Sequence, residues 1–250
     1  MKKLTCIVLC LVCLSLTAGR KRERFETPQA GILLQIGFNE GPSAKDWSNL
    51  GNDGIISGAT WGAANGISGG GFSFNGTSDY IEIPNETTFD ISGALTLSVW
   101  FYYDSTANGT DRFVLGKSNW SSAGKGYHLA IRTDNKLNFT LYEQTGHYLS
   151  AAGDAALTVD NWYHVVGTYN GTPTTAGIKM YLNGVEAAGY TDVTFDYIGL
   201  NNLPVRVGRD SGTTGYYFTN SLDEVRIYNY ALTLNEVQGL YQQVKANVNP

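Results

Sequence analysis

Between residues 31 and 230 apolar positions come in short runs that alternate with polar ones, and turn residues separate the runs. A period of two is the signature of strands with one face buried. In "ALTLSVWFYY" (94–103), Leu95, Leu97, Val99 and Phe101 fall on one face, and Thr96, Ser98, Trp100 and Tyr102 on the other. "YHLAIRTDNKLNFTLYE" (127–143) predicts a hairpin turning at Asp134–Asn135. "GIKMYLNGVEAAG" (177–189) predicts another at Asn183–Gly184, a pair that tolerates positive φ. "NWYHVVGTYNG" (161–171) and "LPVRVGRDSG" (203–212) read as further strands. The period changes only near the end. Thr233 and Glu236 form a capping box, after which Leu234, Val237, Leu240, Tyr241 and Val244 recur at helical spacing. Many short strands and one late helix predict an all-β, two-sheet antiparallel sandwich of jelly-roll type with a short C-terminal helix.

The start of the chain follows another rule. "MKK", the apolar run "LTCIVLCLVCLSL" and the small residues of "TAG" predict a signal peptide over residues 1–19. The apolar run is shorter than the roughly 20 residues that cross a bilayer as a helix, so no membrane span is expected in the mature chain. "RKRERFETPQA" (20–30) reads as a charged linker, and 31–250 as a single domain. All three cysteines, Cys6, Cys10 and Cys13, lie in the leader, so the exported part has neither disulfides nor thiolate metal ligands.

Composition narrows the chemistry. Of 250 residues, 42% are hydrophobic and 16% charged, which suits a real core under a weakly charged surface. The net charge is −5, and becomes −7 once Lys2 and Lys3 leave with the signal. An acidic surface disfavours nucleic acid and is compatible with cations and neutral glycans.

Catalysis finds little support. Asp223 and Glu224 are adjacent in "SLDEVRIYNYAL", and neighbours on a strand point to opposite faces, so they cannot easily flank one scissile bond. The histidines His128, His147 and His164 are scattered through strand-like segments with no nucleophile elbow. No catalytic residue is assigned, and the chain is expected not to be an enzyme. Glu224 and Arg226 share a face by alternation, which lets them pair with each other or with neighbours.

"SLDEVRIYNYAL" followed by the capped "TLNEVQGLY" resembles the last strand and terminal helix of laminin-G-like jelly-roll domains, within the concanavalin-A-like lectin/glucanase superfamily. "LLQIGFNEGPSAKDWSNLGNDG" (33–54), "GFSFNGTSDYIEIPN" (71–85), "LTLSVWFYY" and "NWYHVVGTYNG…IKMYLNGV" are similar to further elements of that family, in the same order. Asn39, Asn75 and Asn220 depart from its usual Asp, Asp and Gly. The resemblance implies a structural Ca²⁺ between the first loop and the last strand, with Glu40, Asp46, Asn52 and Asp223 as candidate ligands; hard cations take such oxygens. It also implies recognition of glycans or proteins. Aromatic rings stack on sugar C–H faces, and Trp120, Tyr148 and Tyr216 are the candidate carbohydrate-binding residues. Trp100 and Trp162 are assigned to packing. The expected function is a secreted or cell-surface, non-catalytic module that binds carbohydrate. The alternative is an adhesion or structural module whose partner is a cell-surface protein.

Overall fold

The computed structural model describes residues 31–104, 109–119, 124–144, 146–154, 156–187, 189–212 and 215–248. The expected signal (1–19) and linker (20–30) lie outside the described residues. The strands, in chain order, are β1 (Ile32–Ile36), β2 (Ile55–Ser57), β3 (Thr60–Gly62), β4 (Gly71–Asn75), β5 (Tyr80–Ile83), β6 (Leu95–Tyr103), β7 (Arg112–Ser118), β8 (Gly126–Ile131), β9 (Leu137–Tyr142), β10 (Tyr148–Ala152), β11 (Asn161–Tyr169), β12 (Ile178–Leu182), β13 (Val185–Ala187), β14 (Tyr190–Val193), β15 (Val205–Val207) and β16 (Thr219–Tyr228). One helix, α1 (Leu234–Val248), follows.

The strands form two antiparallel sheets, a jelly-roll sandwich as the sequence predicts. The first sheet runs β13-β12-β11-β6-β16-β4-β3, and β1 also pairs with β16. The second runs β14-β10-β9-β8-β7-β15-β5-β2. Alternation decides what each sheet buries. Leu95, Leu97, Val99 and Phe101 of β6 enter the core between the sheets, as do Leu129 and Ile131 of β8 and Leu137, Phe139 and Leu141 of β9. The predicted hairpins turn through Asn135 (φ 62°), and through Asn183 and Gly184 (φ 53° and 78°).

The outer face of the first sheet is covered by α1. Val166, Tyr181, Tyr228, Leu232 and Val237 form a second apolar cluster there. Tyr241 of α1 stacks on Trp100 at 5.5 Å and 8°, and Trp100 stacks on His164 at 5.1 Å. The capping box forms as expected, with Glu236 accepting from the Thr233 backbone N–H at 2.7 Å. Trp100 is therefore a packing residue, fully buried. Trp162 is half-buried and meets Tyr102 edge to face.

Candidate functional site

The outer face of the second sheet carries the residues that strand alternation turns away from the core. Register places them in rows across the strands. Ser150 of β10 is paired with Thr140 of β9, Thr140 with His128 of β8, His128 with Gly116 of β7, and Gly116 with Arg206 of β15. In the neighbouring row, Tyr148 lies opposite Tyr142. On the other side, Asn138 lies opposite Ala130, and Ala130 opposite Phe113.

The rings on this face touch in sequence. Tyr148 and Tyr142 have centroids 6.1 Å apart, Tyr142 and His128 5.5 Å, His128 and Phe113 4.2 Å, and Phe113 and Tyr216 5.7 Å. Tyr148 and Tyr216, two of the three candidate sugar residues, are thus the ends of one aromatic row spanning β10 to β7 and the loop before β16. Both end rings and Tyr142 are half-buried, while Phe113 and His128 are buried. Trp120, the third candidate, lies outside the described residues. The neighbouring Tyr217 has another role: the Arg209 guanidinium sits 5.0 Å from its ring and 5.0 Å from the ring of Tyr80.

Polar groups lie among the rings. Asn138 Nδ2 donates to Thr140 Oγ1 at 3.0 Å, and Thr140 Oγ1 is 3.1 Å from Ser150 Oγ. Asn138 Oδ1 is buried with no hydrogen-bond partner, an acceptor facing no donor. His128 Nδ1 is 3.0 Å from Ser118 Oγ, which donates to Asp210 Oδ1 at 3.5 Å. Burial lowers the His128 pKa to about 3, so the ring is neutral at physiological pH. Gly116 makes the packing possible, because a Cβ there would stand 2.5 Å from His128 Cβ. Burial first, then Tyr148, Asp111 and Asp210, raise the Tyr142 phenol. Ser118, His128 and Asp210 are the residue types of a hydrolytic triad in the wrong order. Serine stands between the other two, unlike the order in which a carboxylate orients the imidazole and the imidazole activates the hydroxyl.

The four candidate metal ligands stand in different surroundings. Asp46 is buried, and its two oxygens accept from the backbone N–H groups of Gln35, Ser48 and Asn52 and from Ser48 Oγ, at 2.6–3.0 Å. Four donors fill a carboxylate's acceptor sites, so Asp46 organises its loop. Asn52 is equally engaged: Nδ2 donates to the Leu33 carbonyl, and Oδ1 accepts from Asn85. Glu40 is exposed. Asp223 is fully buried, accepting from the backbone N–H groups of Ser68 and Glu224. Among the described residues no three His, Cys, Asp or Glu side chains cluster as metal ligands.

Asp223 and Glu224 also fail to separate onto opposite sides as simple alternation requires. The pairing of β16 with β6 shifts register between Asp223 and Arg226, and Glu224 adopts φ 53° at this bulge. An extra residue in one strand undoes alternation. Glu224 then accepts from Arg226 Nη2 at 2.6 Å, one of the pairings the sequence allows, and from Asn39 Nδ2 at 3.4 Å. Burial, and next the Glu224 charge, hold the Asp223 carboxyl well above the usual carboxylate range. Asn39 Oδ1 is buried without a partner. Two acids facing one arginine beside an orphaned amide oxygen form an oxygen-rich cluster.

A family model of the concanavalin A-like lectin/glucanases superfamily matches residues 75–238. No curated protein matches the chain. Among solved structures, domain 4 of the extracellular arabinanase AbnA from Geobacillus stearothermophilus, in complex with arabinotriose, is 18% identical. It has a TM-score of 0.61, with 85% of this chain and 98% of that one covered. The botulinum neurotoxin serotype D ligand binding domain, in complex with N-acetylneuraminic acid, is 16% identical with a TM-score of 0.67. That match covers 85% of this chain and 50% of the toxin domain. The binding domain of Paraclostridial Mosquitocidal Protein 1 is 18% identical, with a TM-score of 0.65 and coverages of 84% and 52%. The chain spans about half the length of these two toxin domains. At such identities the likeness concerns the fold. Among the described residues no helix is long and apolar enough to cross a membrane.

Proposed function

Because the chain belongs to the concanavalin A-like lectin/glucanases superfamily, we propose that it is a non-catalytic module that binds glycans on the outer face of its second sheet. The observation that carries this reading is the aromatic row from Tyr148 through Tyr142, His128 and Phe113 to Tyr216. Of this row the half-buried Tyr148, Tyr142 and Tyr216 can present ring faces to sugar C–H groups, while the buried His128 and Phe113 pack between them. Two proteins of similar fold have saccharides in their structures, arabinotriose in one and N-acetylneuraminic acid in the other. The order of Ser118 between His128 and Asp210 supports binding without hydrolysis. The apolar leader supports a secreted or cell-surface location.

A structural Ca²⁺ belongs to the same reading. Asp223, Glu224 and Asn39 Oδ1 would hold it. Bound there, it would offset the Asp223 carboxylate, Glu224 being already paired with Arg226, and tie the loop after β1 to β16.

A glycan array probed with the mature domain, with calcium and with chelator, tests the proposal. Binding that is weakened in Tyr142→Ala and in Tyr148→Ala is the expected result. A blank array under both conditions overturns it, and capture of a cell-surface protein in its place would favour the adhesion reading.

A further inference from the structure

We propose that the outer face of the first sheet, beside the part covered by α1, is a second binding site, for an amino sugar in its protonated form. The alternation that turns Phe101 and Tyr163 towards the core sends Tyr102 of β6 and Trp162 of β11 outward, and register sets those two opposite each other. Their rings meet edge to face with centroids 5.7 Å apart, and both are half-buried. The helix covers the row before them, where Tyr241 stacks on Trp100 and Lys245 Nζ lies 5.9 Å from the same ring.

Two exposed carboxylates flank the aromatic pair. Asp160, at φ 61° in the turn before β11, accepts from the Tyr102 hydroxyl, and Asp104, just after β6, accepts from Asn220 Nδ2 at 2.6 Å. Both donors are neutral groups, so neither offsets the charge it meets. Burial, and next the Asp160 and Asp104 charges, raise the Tyr102 phenol. The charges that act on this ring are thus both negative, Lys245 standing one row away over Trp100. A cation placed over Trp162 is attracted by the ring face and by the two carboxylates together.

The same face sets the rest of the ligand. Ring faces match the C–H surface of a pyranose, and carboxylates accept from hydroxyls as well as from an ammonium. Beyond the rings the face continues in hydroxyls. Leu222 pairs with Phe101, so Ser221 comes alongside Tyr102; Ser221 pairs with Ser73, and Ser73 with the exposed Thr60. A saccharide can bond along such a row, whereas the alkyl chain of a simple amine offers it nothing.

The test is calorimetric titration of the mature chain with the β-1,4 trimer of glucosamine, at a pH where its amines are protonated, against the N-acetylated trimer, which keeps the rings and loses the charge. The glucosamine trimer is expected to bind more tightly by about threefold or more. That margin is expected to narrow as salt rises from about 20 to about 500 mM. Trp162→Ala should weaken binding of the glucosamine trimer by about threefold or more with far-UV circular dichroism unchanged. Asp104→Asn and Asp160→Asn, at exposed positions that spare the core, should each narrow the margin. Equal affinity for the two trimers, or no binding of the glucosamine trimer, overturns the inference and leaves the glycan reading of the second sheet standing. Binding that falls in Tyr142→Ala but not in Trp162→Ala places the amino sugar on the second sheet and overturns it too. Trilysine that binds as tightly as the glucosamine trimer shows that charge alone is read, and overturns the assignment to a sugar.

Discussion

Gly167→Ala tests the sandwich and its site together. Gly167 sits in the middle of β11, and a Cβ built there would lie 2.3 Å from Phe139 Cγ, and 2.6 and 2.7 Å from its two Cδ atoms. Phe139 belongs to β9, in the opposite sheet. Carbon atoms pack at about 3.5–4.0 Å, so the ring root or a strand must retreat by more than about 1 Å. The clash is with the root of the ring, which cannot rotate away. Overpacking of this kind costs about 1–3 kcal/mol, and a rigid obstacle places it near about 3. For a domain of this size that lowers Tm by roughly 6–12 °C. Asn138 and Thr140 flank Phe139, so a displaced β9 should also weaken glycan binding. Thermal and urea unfolding of four proteins, the wild type, Gly167→Ala, Phe139→Ala and the double variant, closes the cycle. In the Phe139→Ala background the clash is gone, and Gly167→Ala should be neutral or stabilising by about 0.5 kcal/mol through the entropy of the unfolded chain. A Gly167→Ala single variant within about 0.5 kcal/mol of wild type, or equal costs in both backgrounds, would refute the reasoning.

Three further expectations follow from the same geometry. Tyr142→Ala and Tyr148→Ala should each weaken binding of a recognised glycan about three- to tenfold, the value of one aromatic contact, with far-UV circular dichroism unchanged; an undiminished titration would place the site elsewhere. Because burial and then Glu224 raise the Asp223 pKa in the folded state, the cation-free protein is most stable below the ordinary carboxylate value of 3.8 as far as this group is concerned, and loses that stability as pH rises through the folded value. Lowering the pH from neutral in chelator should therefore raise Tm, millimolar Ca²⁺ at neutral pH should raise it too, and Asp223→Asn should remove both responses; a Tm indifferent to Ca²⁺ would dismiss the cation. Tyr241→Ala removes stacking on Trp100 at 5.5 Å and His164 at 6.2 Å, worth about 2 kcal/mol together, and should lower Tm by roughly 4–8 °C with a red shift of tryptophan emission as Trp100 meets water.

Local patterns carried the architecture. Alternation along 94–103 named the core face of β6, and the Asn135 and Asn183–Gly184 turns and the Thr233–Glu236 cap depend on residues within a few positions of one another. Such features are properties of short segments, so a linear reading finds them. The site is different. Tyr148 and Tyr216 were visible as loop aromatics, but nothing local joins them. Phe113, His128 and Tyr142 become one row only when β7, β8 and β9 are set in register, since a slip of one residue would turn each inward. The bulge at Glu224 likewise depends on how β16 pairs with β6, and it moved the acids that alternation had separated. Asp46 looked like a metal ligand because its residue type suits one. Only the folded loop, with four donors converging on that carboxylate, decided that it serves the backbone instead.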